Sequence, residues 1–195
     1  MHSILNRPVY LGAGGGIYNA SNFIIMRLVK RLIILLLLIV VGFLGYKIIS
    51  TINKKANTEE RIAKLPAFTF YTLNNIVFAN DSLSKNKSTV VIYFNTGCEH
   101  CQYETEQIIK HTDQLKHANF LLASVQPINE LKKFDSTYHL SSYPFIKLVN
   151  DKDNIMRNIF GANTVPTIFI YDTNNRLIKK YTGEVKIEAI VKAIN

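Results

Sequence analysis

Thr89-Val90-Val91-Ile92-Tyr93-Phe94-Asn95-Thr96-Gly97-Cys98-Glu99-His100-Cys101-Gln102 is the stretch from which the rest of the chain is read. Its first six residues are β-branched or aromatic, the composition of a strand buried on both faces in the middle of a sheet. After the turn at Thr96-Gly97-Cys98, Cys101–Leu115 places Ile108, Ile109 and Leu115 at helical spacing, and Asn119–Val125 (NFLLASV) is a second apolar strand. The pattern predicts a strand–helix–strand unit with two cysteines at the start of its helix. Beyond it lie a helical stretch around Ile128–Tyr138, an apolar strand Thr167–Tyr171, a turn at Asp172–Asn175, a strand Arg176–Tyr181 and an amphipathic helix Lys186–Ile194. This order predicts an α/β domain: a mixed central sheet ending in a hairpin, with helices on both faces.

Cys98 and Cys101 are the only cysteines. A thiolate at Cys98 would face the unpaired N–H groups of the helix start and the positive end of its dipole, which favour the ionised form. Cys101, one turn inside, could attack the sulfur of a mixed disulfide. Other uses of the pair need partners that the sequence places poorly. Zinc would need two more ligands, and His111 and His117 lie ten or more residues further along, directed away from the helix start. Haem attachment needs a histidine where Gln102 stands. Inert thiols would make the spacing a coincidence. Downstream, Val165-Pro166-Thr167-Ile168-Phe169-Ile170 puts a proline at the mouth of an apolar strand. That is a strand-start signal by itself. With the cysteines upstream, a cis Val165–Pro166 bond beside them is the better reading, with the Val165 backbone left to pair with an extended substrate.

The chain has 195 residues, room for one domain and an appendage. With 48% apolar and 19% charged residues it is neither disordered nor collagen-like, and two cysteines are too few for a disulfide-stapled miniature. The formal charge of +9 does not point to nucleic acid. Arg7, Arg27, Lys30, Arg31 and Lys47 carry +5 of it without an acid among residues 1–49, so much of the basicity flanks one apolar segment.

That segment, Leu32–Tyr46 (LIILLLLIVVGFLGY), is uncharged, and Lys47 can snorkel so that Ile48 and Ile49 extend it to eighteen residues. At 1.5 Å per residue this spans about 27 Å, near the lower limit for a bilayer. A cleaved signal peptide looks similar, but no small-x-small site follows, and no cysteine for a lipid anchor. The expected organisation is therefore a transmembrane signal anchor at 26–49, a polar tether at 50–65 and the α/β domain at 66–195. Residues 1–25 are a cytoplasmic tail or a gene-model extension, since Met26 followed by RLVKR begins a complete signal anchor. Their Gly12, Gly14, Gly15 and Gly16 lack the lysine and the preceding strand of a phosphate loop. Flanking charge is similar on both sides and leaves the orientation open.

Taken together, the strand, the C-x-x-C helix start, Val165-Pro166-Thr167-Ile168-Phe169-Ile170, the hairpin with Gly183 and the final helix resemble the thioredoxin fold. The opening Leu65-Pro66-Ala67-Phe68-Thr69-Phe70 and the apolar anchor resemble its TlpA/ResA-like branch of membrane-anchored thiol–disulfide oxidoreductases. The resemblance implies Cys98 as exposed nucleophile, Cys101 as resolver, Pro166 as the cis-proline bordering them and Glu104 as the acid tuning the pair. Gly97, Glu99, His100 and Val165 would meet the substrate. It also implies a redox-active Cys98–Cys101 disulfide with no cofactor or metal, and protein thiols or disulfides as substrates. A transmembrane thiol reductant of the cytochrome-biogenesis type would be a partner, and the domain would face the periplasm or the cell exterior from a single-pass inner-membrane anchor. Several positions depart from the pattern. The tryptophan common before the first cysteine is Gly97, the proline before the second is His100, and the buried aspartate of thioredoxin corresponds to Ile92. Two rival functions share some of these features. A peroxidase of the AhpC/TSA type would need a threonine where Asn95 stands. A copper- or zinc-carrying module would use Cys98, Cys101 and His100 as ligands.

Overall fold

The computed structural model describes residues 17–195, with side chains from Ile24 onward; the glycines near residues 12–16 lie outside that range. Helix α1 (Ile17–Ile62) carries the apolar segment, and from Ile24 it is long and apolar enough to cross a membrane. A signal sequence near an N-terminus has the same character, but a core helix does not, because these side chains are exposed. The chain divides within α1 into two compact units, one ending at Asn53 and one running Lys54–Asn195.

The second unit holds a seven-stranded sheet. Its strands are β1 (Thr69–Thr72), β2 (Val77–Ala79), β3 (Thr89–Tyr93), β4 (Asn119–Ser124), β5 (Ile146–Asn150), β6 (Thr167–Tyr171) and β7 (Leu177–Thr182), in the order β2-β1-β5-β4-β3-β6-β7. Strands β3, β4 and β5 run parallel, and β1, β6 and β7 pair antiparallel. Helix α2 (Glu99–Lys110) joins β3 to β4, and α4 (Ile128–Tyr138) joins β4 to β5, with the four-residue α3 (Thr112–Leu115) in between. Both crossovers step the same way across the sheet, so right-handed connection puts both helices on one face. The closing helix α6 (Ile187–Ile194) joins them, and Ile108, Leu131, Phe134, Ile190 and Ile194 pack there on Val90, Ile92 and Ile168.

The other face is covered by shorter pieces, among them α5 (Ile155–Asn158) and Phe160. Ile62, the last residue of α1, is also buried there beside Phe70 and Tyr171. Arg61 Nε donates to the Ile159 carbonyl (2.8 Å), and the Leu65 N–H donates to that of Asn175. A Cβ on Gly161 would stand 2.5 Å from Thr58 Cγ2, so the glycine, at φ +68°, leaves room for the helix. The packed unit therefore reaches further towards the N-terminus than Pro66. Two other features differ from expectation. The helix expected over Cys101–Leu115 is broken at His111, where Thr112 Oγ1 donates to the Ile109 carbonyl (2.6 Å) and α3 starts afresh. Strand β5 fills the gap between β4 and β1 and has no counterpart in the sequence reading.

Candidate active site

Strand β3 ends at Tyr93, and the next five residues make the turn into α2. Three side chains and one carbonyl hold that turn. Asn95 Oδ1 accepts from the Gly97 N–H (2.8 Å), the Asn95 carbonyl accepts from the Cys98 N–H, Gln126 Oε1 accepts from the Thr96 N–H (2.6 Å), and Gln102 Nε2 donates to the Thr96 carbonyl (2.8 Å). The result is that Cys98 occupies the N-cap of α2, with extended backbone and half-buried, while Gly97, Glu99 and His100 are exposed around it. No side chain caps the helix here, so its first N–H groups are left facing the Cys98 side.

Cys101 is in the first turn of α2 and only 2% exposed, part of the same cluster as Ile92 and Ile168. Both cysteines are free thiols. Burial pushes the Cys101 thiol up to about 12. A backbone hydrogen bond at Asn95 opposes this, while Cys98 and the negative charge of Glu104 add to it. Glu104, three residues on and so on the same helix face, is likewise 2% exposed. It is therefore not a solvated helix glutamate. Burial raises its carboxyl to about 7, opposed by the Val185 N–H that donates to Oε2 (3.2 Å) and assisted by the charge of Glu184. Its other oxygen, Oε1, has no hydrogen-bond partner among the described residues.

The Val165–Pro166 bond is cis, and Pro166 is buried. In the sheet register the next residue, Thr167, stands opposite Tyr93, so Pro166 lies at the end of β6 that neighbours the exit of β3 towards Cys98. Val165 and Cys98 both pack against the cluster that contains Cys101. The fold thus gathers Cys98, Cys101, Glu104, Val165 and Pro166. His100 is turned elsewhere: its Nδ1 is 2.7 Å from Glu184 Oε2, in the connection from β7 to α6. A groove of about 280 Å³ runs beside the turn, lined by Thr96, Gly97, Gln102, Lys133, Phe134 and Tyr138. Among the described residues no three His, Cys, Asp or Glu side chains are grouped as metal ligands would be.

The profile of the thioredoxin-like domain family matches residues 79–195, well over half of the chain. The chain belongs to this family. A secreted disulfide oxidoreductase of Mycobacterium tuberculosis, homologous to DsbE of Escherichia coli, superposes with a TM-score of 0.55 at 18% identity, covering 70% of this chain and 97% of that one. A thiol:disulfide interchange protein of Chlorobium tepidum gives 0.55 at 18% identity over 68% and 93%. A peroxiredoxin-like protein of Aquifex aeolicus gives 0.55 at 12% over 67% and 83%. At these identities the likeness is one of fold. No curated protein matches the sequence.

Within this thioredoxin-like domain, Asn95, Gln126, Glu184 and Val185 touch the site without having been singled out from the sequence. Asn95 is marked in the sequence only as the residue at the position of a peroxidase threonine. Gln126 and Glu184 are ordinary polar residues just past the ends of strands, and only the neighbouring Gly183 signalled a turn there. Val185 contributes a backbone N–H, for which residue type gives no signal.

Proposed function

We propose that the chain is a membrane-anchored, extracytoplasmic thiol–disulfide oxidoreductase acting on protein disulfides through Cys98 and Cys101. The observation that carries this reading is the asymmetry of the pair: Cys98 half-buried at the uncapped start of α2, and Cys101 buried behind it with its thiol held protonated. In the reducing direction the Cys98 thiolate attacks one sulfur of a substrate disulfide. A Cys98–substrate S–S bond forms, the substrate S–S bond breaks, and the first substrate thiolate leaves. Cys101 then gives up its proton and attacks Cys98 Sγ. The Cys98–Cys101 disulfide forms, the Cys98–substrate bond breaks, the second substrate sulfur departs as a thiolate that takes up a proton, and two electrons have passed to the substrate. Glu104, one turn along with a free oxygen, is the group to receive the Cys101 proton. A carboxyl near 7 can hold or release a proton at neutral pH.

Outside the cytoplasm such a reductase needs electrons carried across the membrane, and a transmembrane thiol reductant reached easily by an anchored domain supplies them. The long apolar α1 supports the anchor. The test is mixed-disulfide trapping with the full chain in its membrane. Cys101→Ser accumulates covalent complexes with substrate proteins, released by dithiothreitol, and Cys98→Ser does not. Accumulation by Cys98→Ser instead reverses the roles, and none by either variant removes the reading.

A further inference from the structure

Three consecutive residues in the connection from β7 to α6 each touch a different member of the site. The Gly183 N–H donates to the carbonyl of Pro166 (2.8 Å), Glu184 Oε2 meets His100 Nδ1 (2.7 Å), and the Val185 N–H donates to Glu104 Oε2 (3.2 Å). Val185 is the only hydrogen-bond donor to the Glu104 carboxyl among the described residues. The segment is fixed at both ends, by Gly183 on Pro166 and by Ile187, buried in the core. Between those ends Val185 packs against the core and donates to Glu104, and among the described residues the Glu184 grip is the hydrogen bond that ties the segment to the first turn of α2.

We propose that Glu184 is a positioning residue for the dithiol: by gripping the His100 imidazole it holds the Gly183–Val185 turn against α2 and keeps the Val185 N–H on Glu104. The proposal rests on the reading of Cys98 and Cys101 as an exchanging pair only for its consequence, not for its geometry. The C-x-x-C turn and the acid behind it would then be linked by a contact that involves neither cysteine. The titratable groups around Glu104 are the Cys101 thiol on its own helix and the Glu184 carboxyl on the turn. Lys186 and Glu188 line the outer groove with Tyr103 and Gln107, and β3 and β6 bring apolar Ile92 and Ile168 to the same cluster.

Glu184 acts on Glu104 in two opposite ways, and this makes the proposal testable. Its charge disfavours a second carboxylate nearby, whereas its grip maintains the N–H that favours one. Glu184→Gln removes the charge and keeps an acceptor for His100. Glu184→Ala removes both, and leaves the turn held at its two ends, by Gly183 on Pro166 and by buried Ile187, with Val185 between them free to lift from the carboxyl. The measurement is the titration of the Glu104 side-chain carboxyl by carbon-13 NMR, on the reduced full chain in detergent micelles, with Glu104→Gln identifying the resonance. Glu184→Gln is expected to titrate below the parent, and Glu184→Ala above Glu184→Gln by about half a pH unit, the scale of one weakened hydrogen bond to the carboxylate. Amide hydrogen exchange at Val185 should also quicken in Glu184→Ala and not in Glu184→Gln. Coincident curves for the two variants, or Ala below Gln, would overturn the proposal, because Glu184 would then act as a charge alone. Neither readout needs disulfide exchange, so loss of the oxidoreductase reading and loss of this one are seen separately.

Discussion

The sheet buries one acid on each face, and the two are treated differently. On the side of α5, Asp151 is 1% exposed and both its oxygens are used: Oδ1 accepts from the Ile155 N–H (2.6 Å) and Oδ2 from the Met156 N–H (2.9 Å), closing the start of that helix. On the side of α2, Glu104 is as deeply buried but, among the described residues, has one donor at 3.2 Å and leaves Oε1 without a partner. Burial raises both carboxyls. A buried acid with both oxygens accepting hydrogen bonds is a structural cap, and one with a single oxygen met beside a thiol is a group that can exchange a proton. The difference separates scaffold from chemistry better than burial does.

The largest effect expected from this contrast is in stability against pH. The Glu104 carboxyl rises from 4.5 to about 7 on folding, so the folded chain holds a proton that the unfolded chain has released between those values. Its contribution is therefore complete below about pH 4.5, declines as pH rises to about 7 and is flat beyond, a loss of up to about 3 kcal/mol. Glu104→Gln should abolish that slope and be the more stable protein at pH 8, as followed by denaturant unfolding of the full chain in micelles. An unchanged slope would mean that the acid is hydrated. Next in size, Asp151→Ala should cost about 2 kcal/mol at neutral pH by leaving the part-buried Ile155 and the buried Met156 N–H groups unpaired, while the rate of disulfide exchange per folded molecule stays at the parent value. A fall in that rate without a fall in stability would break the contrast. The smallest effect is expected at Tyr171, whose hydroxyl is buried on the Asp151 face with no partner among the described residues. Tyr171→Phe should be neutral or stabilising by about 1 kcal/mol, with exchange unaltered.

Sequence carried the parts of this arrangement that depend on residue type and spacing. The apolar runs Thr89–Phe94 and Thr167–Tyr171 became β3 and β6 because central strands tolerate little else, and C-x-x-C followed by helical periodicity put Cys98 on the N-cap. Strand β5 was not legible, because exposed Lys147 interrupts Ile146–Asn150 and Pro144 precedes it. Strands β1 and β2, at four and three residues, are too short for alternation to register. Ile62 is one apolar residue in a charged segment, and only the partner surface around Phe70 makes it core. The half-satisfied state of Glu104 was out of reach for the same reason. It depends on where the Val185 N–H arrives from eighty-one positions away.

The central claim is the inequality of the two thiols, and brief alkylation of the reduced full chain tests it most directly. At pH 8, a short pulse of iodoacetamide followed by peptide mass spectrometry should find the label on Cys98 and almost none on Cys101, which is buried and held protonated. Label on Cys101 first, or on both cysteines equally, would contradict the account.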